Sequence, residues 1–207
     1  MQLRLLPLLL AIAMLAACSS PPPHIAVVDF GPGNTQAPVS NRMASLPSLL
    51  LVEVEAASAL DGTAVLYRLG YADVQQLRPY GQTRWSMPPA QLLRQRLRES
   101  LGQRRSVLST VDAVEPGTLA LRLELEEFSQ LFDSAQSSAG LVRVRATLSR
   151  TGVPPKPLAQ TSFVVQRPAA SADAKGGVQA LAQCTDALVA QIDQWLQQVS
   201  GHEATQP

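Results

Sequence analysis

Three carboxylates, Glu124, Glu126 and Glu127, stand within four residues of one another. Paired carboxylates can divide general acid and base work when their environments differ. Here the flanking alternation puts Glu124 and Glu126 on one polar side of a strand, the pattern of a solvated face rather than a catalytic pair. The other reactive groups are sparse. His24 and His202 sit near opposite ends of the chain, a poor basis for a serine–histidine pair. No G-x-S-x-G elbow, C-x-x-C pair, H-E-x-x-H helix or G-x-x-x-x-G-K-[ST] loop occurs. Gly31-Pro32-Gly33 lacks the third glycine of a dinucleotide loop. We therefore expect a protein that is not an enzyme, with no catalytic residue, no metal site and no cofactor.

The two thiols differ. Cys18 follows Leu15-Ala16-Ala17, after a positive Arg4 and an apolar run from Leu5 to Met14. That run is too short to span a bilayer, which takes about 20 apolar residues. It reads as a removable leader, residues 1–17, with small residues before the cut. A cysteine directly after them resembles a bacterial lipobox. The resemblance implies cleavage between Ala17 and Cys18, diacylation of the Cys18 thiol and acylation of its new amine. Several acyl chains anchor stably where one binds marginally, at roughly 0.8 kcal/mol per buried CH₂. Ser19 after the cysteine implies sorting to the outer membrane, facing the periplasm. Residues 18–23 then form a proline-rich tether of about 20 Å. Cys184 lies in an apolar helical pattern and reads as a small buried side chain.

The remaining stretch with chemical character is Tyr67 to Trp85. It holds every one of the 3 tyrosines and one of the 2 tryptophans, interleaved with Arg68, Arg78 and Arg84. Tyrosine, tryptophan and arginine are enriched at binding hot spots, and they also stack within folds. Tyr67, Tyr80, Arg84 and Trp85 are the candidate partner surface. Arg94, Arg96, Arg98, Arg104 and Arg105 follow, a solvated helix face or a contact for anionic groups. Nucleic acid is not expected. Lys+Arg number 17 against 16 Asp+Glu, Arg4 leaves with the leader, and a balanced chain lacks the basic excess such proteins carry.

These residues need a scaffold, and 46% hydrophobic with 16% charged residues is a globular composition. Residues 24–200 read as one domain. Strands are expected at His24 to Phe30, Leu49 to Glu55 (Leu50, Val52 and Val54 inward), Thr63 to Leu69 and Ala72 to Leu77. A hairpin around Asp61-Gly62 could join the second and third. Pro88-Pro89-Ala90 opens a helix carrying Leu93, Leu97 and Leu101, which Gly102 stops. After a short strand at Val107 to Thr110, three more at Leu119 to Leu125, Leu141 to Arg150 and Ser162 to Gln166 form a meander. A last helix runs from Ala172 to Val199, Gly201 ends it, and residues 201–207 are expected to be a disordered tail. The fold class is α+β: an antiparallel or mixed sheet with two amphipathic helices packed on one face.

Taken together, Leu60-Asp61-Gly62, Tyr67, Tyr80, Arg84-Trp85 and the Leu93, Leu97, Leu101 helix resemble the ABC-type transport auxiliary lipoprotein family. The resemblance runs from about His24 to about Val199. It implies a periplasm-facing lipoprotein serving an MCE-type ABC transporter, a system that moves phospholipid or other hydrophobic molecules between the inner and outer membranes. An MCE-domain periplasmic protein would be the partner, the lipid membrane would hold acylated Cys18, and a homo-oligomer ring is an assembly some members form. The alternative is a structural or assembly lipoprotein for an outer-membrane protein.

Overall fold

The computed structural model describes residues 24–33 and 46–203. The leader, Ala17, Cys18 and the tether to residue 23 lie outside them, as do residues 34–45 and 204–207.

The sheet is organised around one long strand, β7 (Leu119–Phe132). Leu119, Leu121, Leu123 and Leu125 alternate inward and are 0–3% exposed, as a one-sided strand requires. A register shift between Leu125 and Glu127 follows. An extra residue resets the phase, so Phe128, Gln130 and Phe132 return to the buried side. One edge of β7 pairs antiparallel with β8 (Ser138–Arg150), which pairs with β9 (Lys156–Pro168). This is the expected meander, each strand extended beyond its apolar run.

The other edge of β7 is shared by three short segments laid end to end, all parallel to it. They are β2 (Leu46–Leu51), β3 (Glu55–Ala56) and β4 (Ala64–Leu69). The β6 strand (Arg105–Leu108) adds to β2. On the far side of β4 lies β5 (Asp73–Trp85), and β1 (Ala26–Val28) runs parallel to the end of β5. The sheet is therefore mixed.

Two expectations are corrected here. No hairpin forms around Asp61-Gly62, because β2 and β4 each pair with β7 and not with one another. The inward face of β2 is Leu49 and Leu51, with Val54 buried beyond the strand's end, where the Val52 N–H still donates to the Leu121 carbonyl at 3.0 Å. Alternation over so short a run does not say which side is covered; the register with Leu119 and Leu121 decides it.

Helix α1 (Pro89–Leu101) starts at Pro89, where a missing N–H costs nothing, and closes at Gly102, whose N–H donates to the Arg98 and Ser100 carbonyls. Helix α2 (Ala174–Glu203) lies along β7, β8 and β9 and also meets α1. The Asp173 carboxylate caps it, accepting from the Gly176 N–H at 2.8 Å, and that bond holds the Asp173 carboxyl below its usual range. Leu181, Leu188, Ile192 and Leu196 are all buried against the sheet. Two glycines permit the close fit: a Cβ on Gly140 would sit 2.8 Å from the Ala180 backbone, and one on Gly177 would strike the Gln130 side chain. Gly201 does not end this helix, which continues to Glu203, so the expected tail at 201–207 is helical in its first three residues. Cys184 is buried as read; its thiol reaches the Gly140 carbonyl at 3.3 Å, and burial pushes its pKa up to about 11.

The arginines expected on one exposed patch are mostly drawn into the fold. Arg96, 7% exposed, donates to the Phe30 and Gly31 carbonyls at 2.8 and 3.1 Å and pairs with Asp186 at 3.5 Å. Asp193 on α2 pairs with Arg104 at 2.9 Å and Arg105 at 3.3 Å. The Arg105 side chain is 2% exposed, so its cation depends on this carboxylate. Removing one member of a buried pair leaves an uncompensated charge, which costs 3–5 kcal/mol when burial is complete. Asp193 keeps 18% exposure, so we expect Asp193→Ala to cost about 2–3 kcal/mol, read as a lower urea midpoint at unchanged slope. An Asp193→Ala chain as stable as the parent would show that water already screens Arg105.

Candidate interaction surface

The aromatic–arginine stretch folds into a single hairpin, β4–β5, turning at Gly70, Tyr71 and Ala72. Two register shifts against β4 bend β5. Local curvature of this kind turns side chains away from a flat ladder.

Trp85 is a core residue. It is 2% exposed, and its ring meets Phe30 and Phe128 at centroid distances of 5.4 and 5.7 Å, both edge to face. It is therefore removed from the candidate partner surface. Sequence could not separate the two roles, because a large aromatic serves either. Arg84 turns back on its own strand, donating to the Thr83 carbonyl at 2.9 Å and to the Tyr80 carbonyl.

Tyr67 and Tyr80 are brought together, with ring centroids 4.7 Å apart, and Tyr67 also meets Phe132 edge to face at 5.9 Å. Both are half-buried. The Tyr80 hydroxyl donates to Gln130 Oε1 at 2.8 Å, and Gln130 Nε2 donates to Ser138 Oγ at 2.8 Å. Burial raises the Tyr80 pKa well above the ordinary phenol value, with Tyr67 and Asp173 adding to it, so the hydroxyl remains a donor at neutral pH. Gln130 is fully buried. Tyr80→Phe would strand its carbonyl oxygen, and we expect a loss of about 1–2 kcal/mol, measurable by urea unfolding. A variant of unchanged stability would mean that Gln130 finds another donor.

Arg68 fixes the outer part of the hairpin. It binds Glu127 through two nitrogens, at 3.0 and 3.4 Å, and donates to the Val74 and Gln75 carbonyls at 3.2 Å each. Glu124 and Glu126 both meet Arg145, at 3.6 and 2.7 Å. All three carboxylates of the cluster thus have a cation partner.

The hairpin also exposes residues outside the candidate partner surface. Tyr71 is 51% and Val74 53% exposed. Val27 on β1 and Ile25 just before it are also exposed. Val74, Ile25 and Val27 look like ordinary β-branched strand residues; only the tertiary arrangement leaves them uncovered. Gly70 and Asp73, residue types common in turns, flank the tip.

Three hollows lie among the described residues near the helices and the sheet end. One of about 60 Å³ lies between Phe30, Met87, Leu92 and Arg96. A second, about 540 Å³, is lined by Arg96, Glu99, Gln103 and Asp186. A third, about 560 Å³, lies by Pro47, Pro116, Leu119 and Arg150. Tyr80, Gln130 and Arg68 brace the hairpin from within.

Known proteins give the following likenesses. The family described as "ABC-type transport auxiliary lipoprotein component" matches residues 31–193. Among solved structures, protein XCC0632 from Xanthomonas campestris, assigned to the family DUF330, superposes with a TM-score of 0.68. It is 16% identical, with 88% of this chain and 98% of that one covered. A second crystal structure, described as an uncharacterized protein, gives 0.60 at 15% identity over 84% of this chain and 99% of that one. At these identities the likeness speaks for the fold alone. No curated protein sequence matches the chain.

Proposed function

The chain belongs to the ABC-type transport auxiliary lipoprotein family, and on that premise we propose that it is the non-enzymatic lipoprotein subunit of an MCE-type transport system. In this reading it is held in the outer membrane by acylated Cys18 and faces the periplasm. There it docks the MCE-domain protein of a transporter that moves phospholipid or other hydrophobic molecules between the two membranes. Homo-oligomerisation into a ring would repeat the docking surface around an axis.

The family match over residues 31–193 carries the auxiliary role. The MCE partnership is supported by the sequence resemblance between Leu60 and Leu101, the segment that builds the β4–β5 hairpin and α1. A non-catalytic role is supported by the engagement of Glu124, Glu126 and Glu127 with Arg145 and Arg68.

The reading is tested genetically. Cells lacking this chain should show the same envelope lipid defect as cells lacking the MCE protein, and the double deletion should add nothing. An additive defect would place the two in separate processes and contradict the proposal.

A further inference from the structure

The tip of the β4–β5 hairpin lies at one end of the sheet. Leu69 pairs with Phe132, Phe132 with Ser138, and Ala139 with Pro168, so the last residues of β4, β7 and β9 share that end. The N-terminal strand begins toward that end. It runs parallel to β5, with Ala26 opposite Thr83 and Val28 opposite Trp85, while Asp73 at the start of β5 stands opposite Leu69. Moving from Val28 back through Ala26 to His24 therefore approaches the hairpin tip.

The distances are short. Ala26 stands near the level of Val65, four residues below Leu69, or about 13 Å at ~3.3 Å per strand residue. From Cys18 to Ala26 is eight residue steps, with a full reach of about 28 Å. A lipidated Cys18 thus lies at most about 15 Å beyond Leu69, and the turn at Gly70, Tyr71 and Ala72 fills part of that gap. The headgroup layer on each side of a bilayer is itself about 5–7 Å deep. Exposed at this place are a tyrosine and a valine, 51% and 53% accessible, on a hairpin whose outer carbonyls Arg68 holds. Tyrosine suits the membrane interface because its ring is apolar and its hydroxyl stays hydrated.

We propose that the Tyr71–Val74 hairpin tip is a second contact with the lipid surface that carries the acyl anchor. The contact rests on the lipoprotein reading above and adds to it. It orients the sheet with this end toward the bilayer and the opposite end, where the β8–β9 turn carries exposed Val153, away from it.

The test uses the full lipidated chain in vesicles of phosphatidylethanolamine and phosphatidylglycerol containing a phospholipid brominated high on its acyl chains. Tyr71→Trp and, separately, Val74→Trp place a reporter at the tip; Val153→Trp places one at the far end. All three sites are exposed, so folding is not at risk. Both tip reporters should shift to shorter wavelength and lose emission to the bromines, while the Val153→Trp reporter keeps its emission. If the vesicles retain the protein but the tip reporters are quenched no more than the far one, the membrane contact is overturned and the lipoprotein reading survives. If the vesicles do not retain the protein at all, both fall. Tip reporters that respond only to added MCE protein would assign the tip to a protein partner and overturn the inference.

Discussion

Replacing Cys18 with Ser should move the protein from the membrane fraction to the soluble fraction without unfolding it. The hydroxyl is not acylated by the route that acylates a thiol, and the cut before residue 18 that follows acylation is lost with it. Because one acyl chain binds only marginally and several bind stably, the change in membrane partition spans orders of magnitude. To separate anchoring from leader retention, the comparison uses Cys18→Ser behind a cleavable secretory leader. The folded part begins well after the substitution: the described sheet starts at Ala26 and its core is built from residue 49 onward. Thermal melting of the soluble form should therefore match that of the lipidated protein in detergent. The exposed Tyr71 and Val74 are too small a contact to hold the chain alone. Retention of the serine form in washed membranes would contradict acyl anchoring at Cys18.

Trp85→Ala should be the most damaging single change in the folded part. The indole is 2% exposed and packs between Phe30 and Phe128. It joins the end of β5 to β7, and its backbone N–H donates to the Thr63 carbonyl at 2.7 Å. Truncating a buried tryptophan costs about 3–5 kcal/mol. For a chain of this size that lowers the melting temperature by roughly 10 °C, at about 2–4 °C per kcal/mol. Trp85→Phe keeps a ring at the same place and should recover much of the loss. The sequence-based reading of Trp85 as a partner contact predicts the reverse: unchanged melting and weakened docking.

The contrast between Trp85 and Tyr71 shows where sequence reasoning reached and where it stopped. β7 and β8 were legible because Leu119 to Leu125 and Val142 to Leu148 alternate cleanly, and a one-sided sheet imposes that period. The last helix was legible as an amphipathic helix packed on the sheet, though not in its final turn. Pairing was not legible. β2, β3 and β4 line up along one edge of β7 through contacts far apart in the chain, and periodicity carries no information about partners. β5 was read as six residues rather than thirteen, because Pro79, Gly81 and a run of polar residues hide a strand that is bent and partly exposed. The arginines misled for a related reason: Arg96 and Arg105 are held inside by Asp186 and Asp193, which lie about ninety positions away in the chain. The aromatic–arginine stretch was found by composition alone. Sorting it into core (Trp85), internal brace (Tyr67 and Tyr80) and exposed tip (Tyr71) required the fold.

The central claim is that this lipoprotein serves an MCE transporter. Its most direct test is a native pulldown of the lipidated chain from membranes, with mass spectrometry of the captured proteins. The account predicts an MCE-domain protein in the eluate, retained in a Trp85→Phe chain. Capture of an outer-membrane barrel with no MCE protein would contradict it and favour the assembly-lipoprotein alternative.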